Sequence, residues 1–145
     1  MLKDVIMRVI VLPLIASAMM LLAGCSSDDE SPPTGNGNPP TLSGHVQPIL
    51  TSSCAVAGCH DSGTESGGLV LEAGSAYGEL VDVDAETSLG AGKKRVVPGD
   101  AAMSHLVERL EASGIDRMPR SPMAPLSAAQ IQTIKDWIND GAKDN

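Results

Sequence analysis

The chain of 145 residues contains no phenylalanine, one tryptophan and one tyrosine. Aromatic rings are the largest apolar units a core has. Without them Leu, Ile, Val and Met must fill the interior, or a group that is not an amino acid must take part. Cations are scarce as well. Ten Lys and Arg stand against eighteen Asp and Glu, a formal net charge of −8. That balance excludes a nucleic-acid-binding surface, which needs Lys and Arg against phosphate. Cysteine is limited to positions 25, 54 and 59, too few for a four-thiolate iron–sulfur cluster. No phosphate-binding glycine loop, nucleophile elbow or paired-carboxylate motif is present. There is no internal repeat, and the length fits one domain of ordinary size.

The amino-terminal stretch reads as an address. Lys3 and Arg8 precede an apolar run from Val9 to Leu22, broken only by Pro13 and Ser17. Such a run is short for a bilayer span and suits the core of a secretory signal. It ends in Leu22-Ala23-Gly24-Cys25, which resembles the bacterial lipobox. The resemblance implies cleavage after residue 24 and lipidation of Cys25, with several acyl chains giving a firm membrane anchor. Ser26 follows the cysteine, and by similarity to the usual sorting pattern this points to the outer membrane. The mature protein is expected in the cell envelope, periplasmic or surface-facing, where thiols tend to oxidise. Residues 26–41, SSDDESPPTGNGNPPT, hold no large apolar side chain and are expected to form a flexible spacer. The chain thus divides into a signal at 1–24, a lipidated cysteine with linker at 25–41, and a folded domain at 42–145.

Within the domain the periodicity is helical. Ser43 is expected to cap a first helix with His45, Val46, Ile49 and Leu50 on its inner face and Pro48 in its first turns. A short helix is expected over 75–81. Asp100 is expected to cap a helix over 101–112, with Met103, Leu106, Val107 and Leu110 on one stripe and Gly114 as its stop. Ser127 and Gln130 form a capping box for a last helix carrying Ile131, Ile134, Trp137 and Ile138. Only 69–71 and 95–97 have strand character, and both are very short. The expected class is all-α, with long loops of the kind that have a function or wrap something.

The chemistry concentrates at Cys54-Ala-Val-Ala-Gly-Cys59-His60. Two cysteines followed at once by histidine form the c-type haem pattern. The thiols add across two vinyl groups as thioethers, and the histidine supplies the proximal nitrogen to iron. Four residues separate the cysteines where two are usual, so Ala55 to Gly58 must loop out, which their mostly small side chains permit. Two other readings stay open. The thiols could pair as a disulfide in an oxidising compartment, which leaves His60 without a role. Structural zinc would need His45 or His105 as a further ligand, and neither has finger-like spacing.

A longer series of motifs extends the pattern. After the Cys-x4-Cys-His run come AYGELV with Tyr77 and Leu80, then RVVPGD, SHLVERL, RMP and PLSAAQIQTIKDWINDGA. In this order they resemble the planctomycete-type cytochrome c domain, a compact relative of the class I c-type cytochromes, over nearly all of 45–142. The resemblance implies a small helical domain wrapped around one covalent haem c. It also implies that the Met of the Met-Pro pair, here Met118, is the distal iron ligand. Pro119 stiffens that loop by restricting Met118 to extended backbone. Met123 is a second sulfur nearby and the second choice; His105 is a third candidate, and gap-filling is the alternative role for either Met. Tyr77 is expected near the haem edge or in the core, and Lys93, Lys94 and Arg95 in a solvated loop, at propionates or against an acidic partner.

Taken together, the sequence leads to a membrane-anchored monohaem cytochrome c that passes single electrons between redox protein partners and is not itself an enzyme. Two alternatives remain. One is a haem enzyme or gas sensor with an open iron site. The other is a disulfide-stapled lipoprotein that binds a partner without haem.

Overall fold

The computed structural model describes residues 37–86 and 88–145. The signal, Cys25 and most of the linker lie outside the described residues. Among the described residues four α-helices form the frame: α1 (Gln47–Ser53), α2 (Ala76–Leu80), α3 (His105–Glu111) and α4 (Ala128–Asn139). A π-helical turn, Leu42–Val46, runs directly into α1, and single 3-10 turns occur at Ser88–Gly90 and Gly114–Asp116. Among the described residues there is no strand. The expected strand-like segment at 95–97 makes only isolated bridges, Val81 with Val96 and Val97 with Asp100. The domain is therefore helical with long loops.

The start of each helix follows from its donors. Thr41, not Ser43, is the first cap, because its Oγ1 accepts the Gly44 amide at 3.1 Å. His45 consequently turns outward, its Nδ1 3.0 Å from the Thr41 hydroxyl, and does not join the inner face. Pro40 is fully buried and so belongs to the folded unit together with Thr41. The helix expected from residue 101 begins only at His105. Asp100 caps a tight turn, with Oδ1 accepting the Met103 amide at 3.0 Å. The amides of His105 and Leu106 donate to the carbonyls of Lys94 and Arg95, at 3.0 and 2.9 Å, instead of to a preceding helical turn. Met103 is left 65% exposed, off the apolar stripe where the periodicity put it. The last helix begins as expected. Ser127 Oγ accepts the Gln130 amide at 3.2 Å, and Gln130 Oε1 accepts the Ser127 amide at 2.9 Å.

The core is aliphatic around a single indole. Val46, Leu50, Leu80, Val96, Ile134, Trp137 and Ile138 are fully buried, and Trp137 Nε1 donates to the Lys143 carbonyl at 2.9 Å. Tyr77 packs against the same cluster from its edge. The two ends of the domain are clasped: the Leu42 amide donates to Asn145 Oδ1 at 2.9 Å and the Ser43 amide to the Asn145 carbonyl at 2.8 Å. No helix among the described residues is long and apolar enough to cross a membrane.

Candidate haem-binding cavity

Cys54 caps the carboxyl end of α1, with its amide on the Leu50 carbonyl at 2.8 Å. The four residues that follow do loop out. The Cys59 amide donates to Val56 O at 2.9 Å, and the His60 amide returns to Cys54 O at 3.2 Å. Gly58 supplies the left-handed backbone (φ 85°) that this reversal requires. Both thiols and the imidazole are thereby held within one short loop. Leu71 pins that loop from the other side by donating its amide to the His60 carbonyl at 2.8 Å.

His60 is half-buried, and its Nδ1 lies 3.3 Å from the Leu69 carbonyl. A carbonyl only accepts, so this bond puts the proton of the neutral ring on Nδ1 and leaves Nε2 as its unprotonated nitrogen. Burial, followed by the charge of Arg95, lowers the imidazole pKa; hydrogen bonds from the ring to backbone at Leu69 and Ser66 oppose this. The ring is thus favoured in its neutral, metal-ligating form, oriented by a backbone carbonyl as ligating histidines commonly are.

Cys54 and Cys59 are free thiols. Burial, and secondly the neighbouring Cys59, push the Cys54 thiol up to about 11. Such a site resists a thiolate, the form that binds zinc or attacks as a nucleophile. It accommodates a neutral thioether without that penalty. Among the described residues no group of three or more His, Cys, Asp and Glu could hold a metal ion by itself.

These residues open onto a cavity of about 620 Å³. Its apolar wall includes Leu69, Leu71, Leu80, Leu106 and Leu110. Size and lining are those of a site for a cofactor-sized apolar group. Met118 and Met123 reach the same cavity from the 112–127 loop. Met118 is half-buried and is tied to α3, its amide donating to the Arg109 carbonyl at 2.8 Å. Met123 is 37% exposed and bonds only locally, through its amide to Arg120 O at 2.9 Å and its carbonyl to Arg117 Nη2 at 3.3 Å. The sulfur of the Met-Pro pair is the better anchored of the two.

His105 also lines the cavity. It is buried, with Nδ1 2.9 Å from Glu108 Oε2, while Lys93 Nζ reaches the same oxygen at 2.6 Å. Lys93 first and His105 second hold the Glu108 carboxyl down at about 2. Gly90 is the contact that admits this ring. A Cβ there would collide with Ala85 and lie 2.9 Å from His105 Nε2 and Cδ2.

The basic run divides in space. Lys93 pairs with Glu108 and Lys94 with Asp84 at 2.9 Å, both at the surface. Arg95 is buried in the cavity wall, so the expectation of a solvated loop holds for the two lysines and fails for the arginine. Its guanidinium donates to Glu79 O at 2.8 Å, Glu79 Oε2 at 3.0 Å and Gly68 O at 2.9 Å. Tyr77 is not part of the cavity wall. The sequence reading also missed Arg109, which lines the cavity one turn after His105. The spacing of His105 and Arg109, i and i+4 beside Leu106 and Leu110, was the available signal.

The residues present fit a haem. A hollow of cofactor size is bounded by two thiols, an oriented neutral imidazole and two thioether sulfurs. The chain matches no family model, no curated protein and no solved structure.

Proposed function

We propose that the protein is a lipid-anchored monohaem cytochrome c that carries single electrons between protein partners in the cell envelope, built on a cytochrome c-like fold. The observation that carries this reading is the convergence of Cys54, Cys59, His60, Met118 and Met123 on one largely apolar cavity. Cys54 and Cys59 would hold the haem as thioethers, and His60 Nε2 and Met118 Sδ would ligate its iron. When bound, the haem supplies a one-electron couple. The chain's own tasks are to hold that group, keep water from it and set the charge around it. Leu69, Leu71, Leu106 and Leu110 exclude water. The Leu69 carbonyl fixes the ring of His60, and the Arg109 carbonyl fixes the backbone of Met118. Cys25, outside the described residues, is the lipid attachment point, which assigns the domain to a membrane surface, the outer membrane by the sorting pattern.

The test is expression with cytochrome c maturation, followed by a reduced-minus-oxidised spectrum, a pyridine haemochrome and an intact mass. The expected result is a low-spin c-type spectrum, haem retained through acid extraction, and a mass equal to residues 25–145 plus one haem and acyl chains. No haem, with a Cys54–Cys59 disulfide in the mass, leaves a stapled lipoprotein and ends the electron-transfer reading. A high-spin, ligand-binding spectrum would instead make the iron site an open one.

A further inference from the structure

Helix α3 presents one face to the cavity, consisting of His105, Leu106, Arg109 and Leu110. His105 has Glu108 as partner. Arg109 has almost nothing. Its side chain is only 13% exposed, and its one ion pair among the described residues is with the exposed Asp116 at 3.8 Å. A guanidinium carries five fixed donors, and a largely buried charge is costly unless it is paired and hydrogen-bonded. Arg95, in the same wall, has its donors taken up by Glu79 and Gly68. Arg120 also lines the cavity, from its exposed rim. The protein as a whole has an excess of acid, so arginines gathered at one cavity run against its general charge.

We propose that Arg109 is the anchor of a carboxylate-binding site inside this cavity, with Arg120 as its outer member, and that its occupant is a propionate of the haem. The inference rests on the haem reading above. A planar fork of donors matches a carboxylate in two-point contact, and the cavity position gives that contact little competition from water. The positive charge of Arg109 then lies beside the redox centre and favours the reduced, less positive state. Arg109 is a positioning residue, since it acts on the group that performs the chemistry and takes no part in the transfer.

The experiment is a charge series on the holoprotein: Arg109→Lys, Arg109→Gln and Arg109→Glu, each compared with the parent for haem content, thermal midpoint, reduction potential and the propionate bending band in the resonance Raman spectrum. The expected result is unchanged covalent haem, a potential that falls in the order Arg, Lys, Gln, Glu, and a propionate band that shifts in Arg109→Gln. A purely packing role would lower the thermal midpoint without ordering the potentials by charge. Potentials and Raman band equal to the parent in Arg109→Gln overturn the proposal while leaving the haem reading intact. A potential of the parent protein that moves on adding acetate would mean the fork takes a carboxylate from solution, which also overturns it. A parent protein without haem overturns both readings together.

Discussion

At the scale of single residues, the site depends on which atoms are already engaged. Cys54 and His60 are joined through their backbone, and the His60 ring is turned by one carbonyl. The two methionines differ in the same respect: Met118 is tied to α3, and Met123 only to its own turn. Met118→Ala should therefore abolish the long-wavelength sulfur-to-iron band and convert the spectrum to high-spin, while Met123→Ala should leave both nearly as in the parent. The reverse pattern would exchange the two assignments. The cysteines, His60 and the Met-Pro pair, which meet at one cavity, stand out in the sequence because each motif is made of near neighbours in the chain. Arg95 and Arg109 do not. Lys93-Lys94-Arg95 reads as three solvated cations, and only the path of the chain puts the third against Glu79 and Gly68.

At the scale of elements, local signals fixed some boundaries and distant ones fixed others. The start of α4 was readable because Ser127 and Gln130 satisfy each other within four residues. The start of α3 was not, because its first amides donate to carbonyls about ten residues earlier. The Lys93–Glu108–His105 cluster joins that earlier segment to α3. Glu108 has a folded-state pKa of about 2 against an ordinary 4.5. Its contribution to stability is thus present above pH 4.5 and is lost as pH falls towards 2. Glu108→Gln should be less stable than the parent at neutral pH, with the gap closing across that acid window and narrowing in high salt, since the pair is exposed. Denaturant midpoints measured at several pH values check this; a gap independent of pH would assign the effect of Glu108 to packing.

At the scale of the whole molecule, the scarcity of aromatics and the cavity are two views of one design. Trp137 and its buried aliphatic neighbours form the core, and the cavity opens beside Cys54, Cys59 and His60. A domain so built should depend on the group that fills it. Cys54→Ser/Cys59→Ser, which cannot retain haem covalently, should lose much of the helical circular dichroism of the holoprotein and unfold without a sharp transition. A fully native spectrum in that double variant would mean that the aliphatic core alone sustains the fold. The helical class was legible from periodicity. The cavity was not, because its wall is assembled from α1, α2, α3 and loops far apart in the chain.

The clasp between Leu42, Ser43 and Asn145 has a mechanical side. A pull transmitted through the segment before Pro40 is met at once by hydrogen bonds to the far end of the chain and by the buried ring of Pro40 itself. Part of the load is thereby passed to the residues after α4 through Asn145, beside the covalent path along α1 towards Cys54. Under the proposed lipid anchor, this clasp would share the pull of a tether between the two ends of the domain before it reached the cavity.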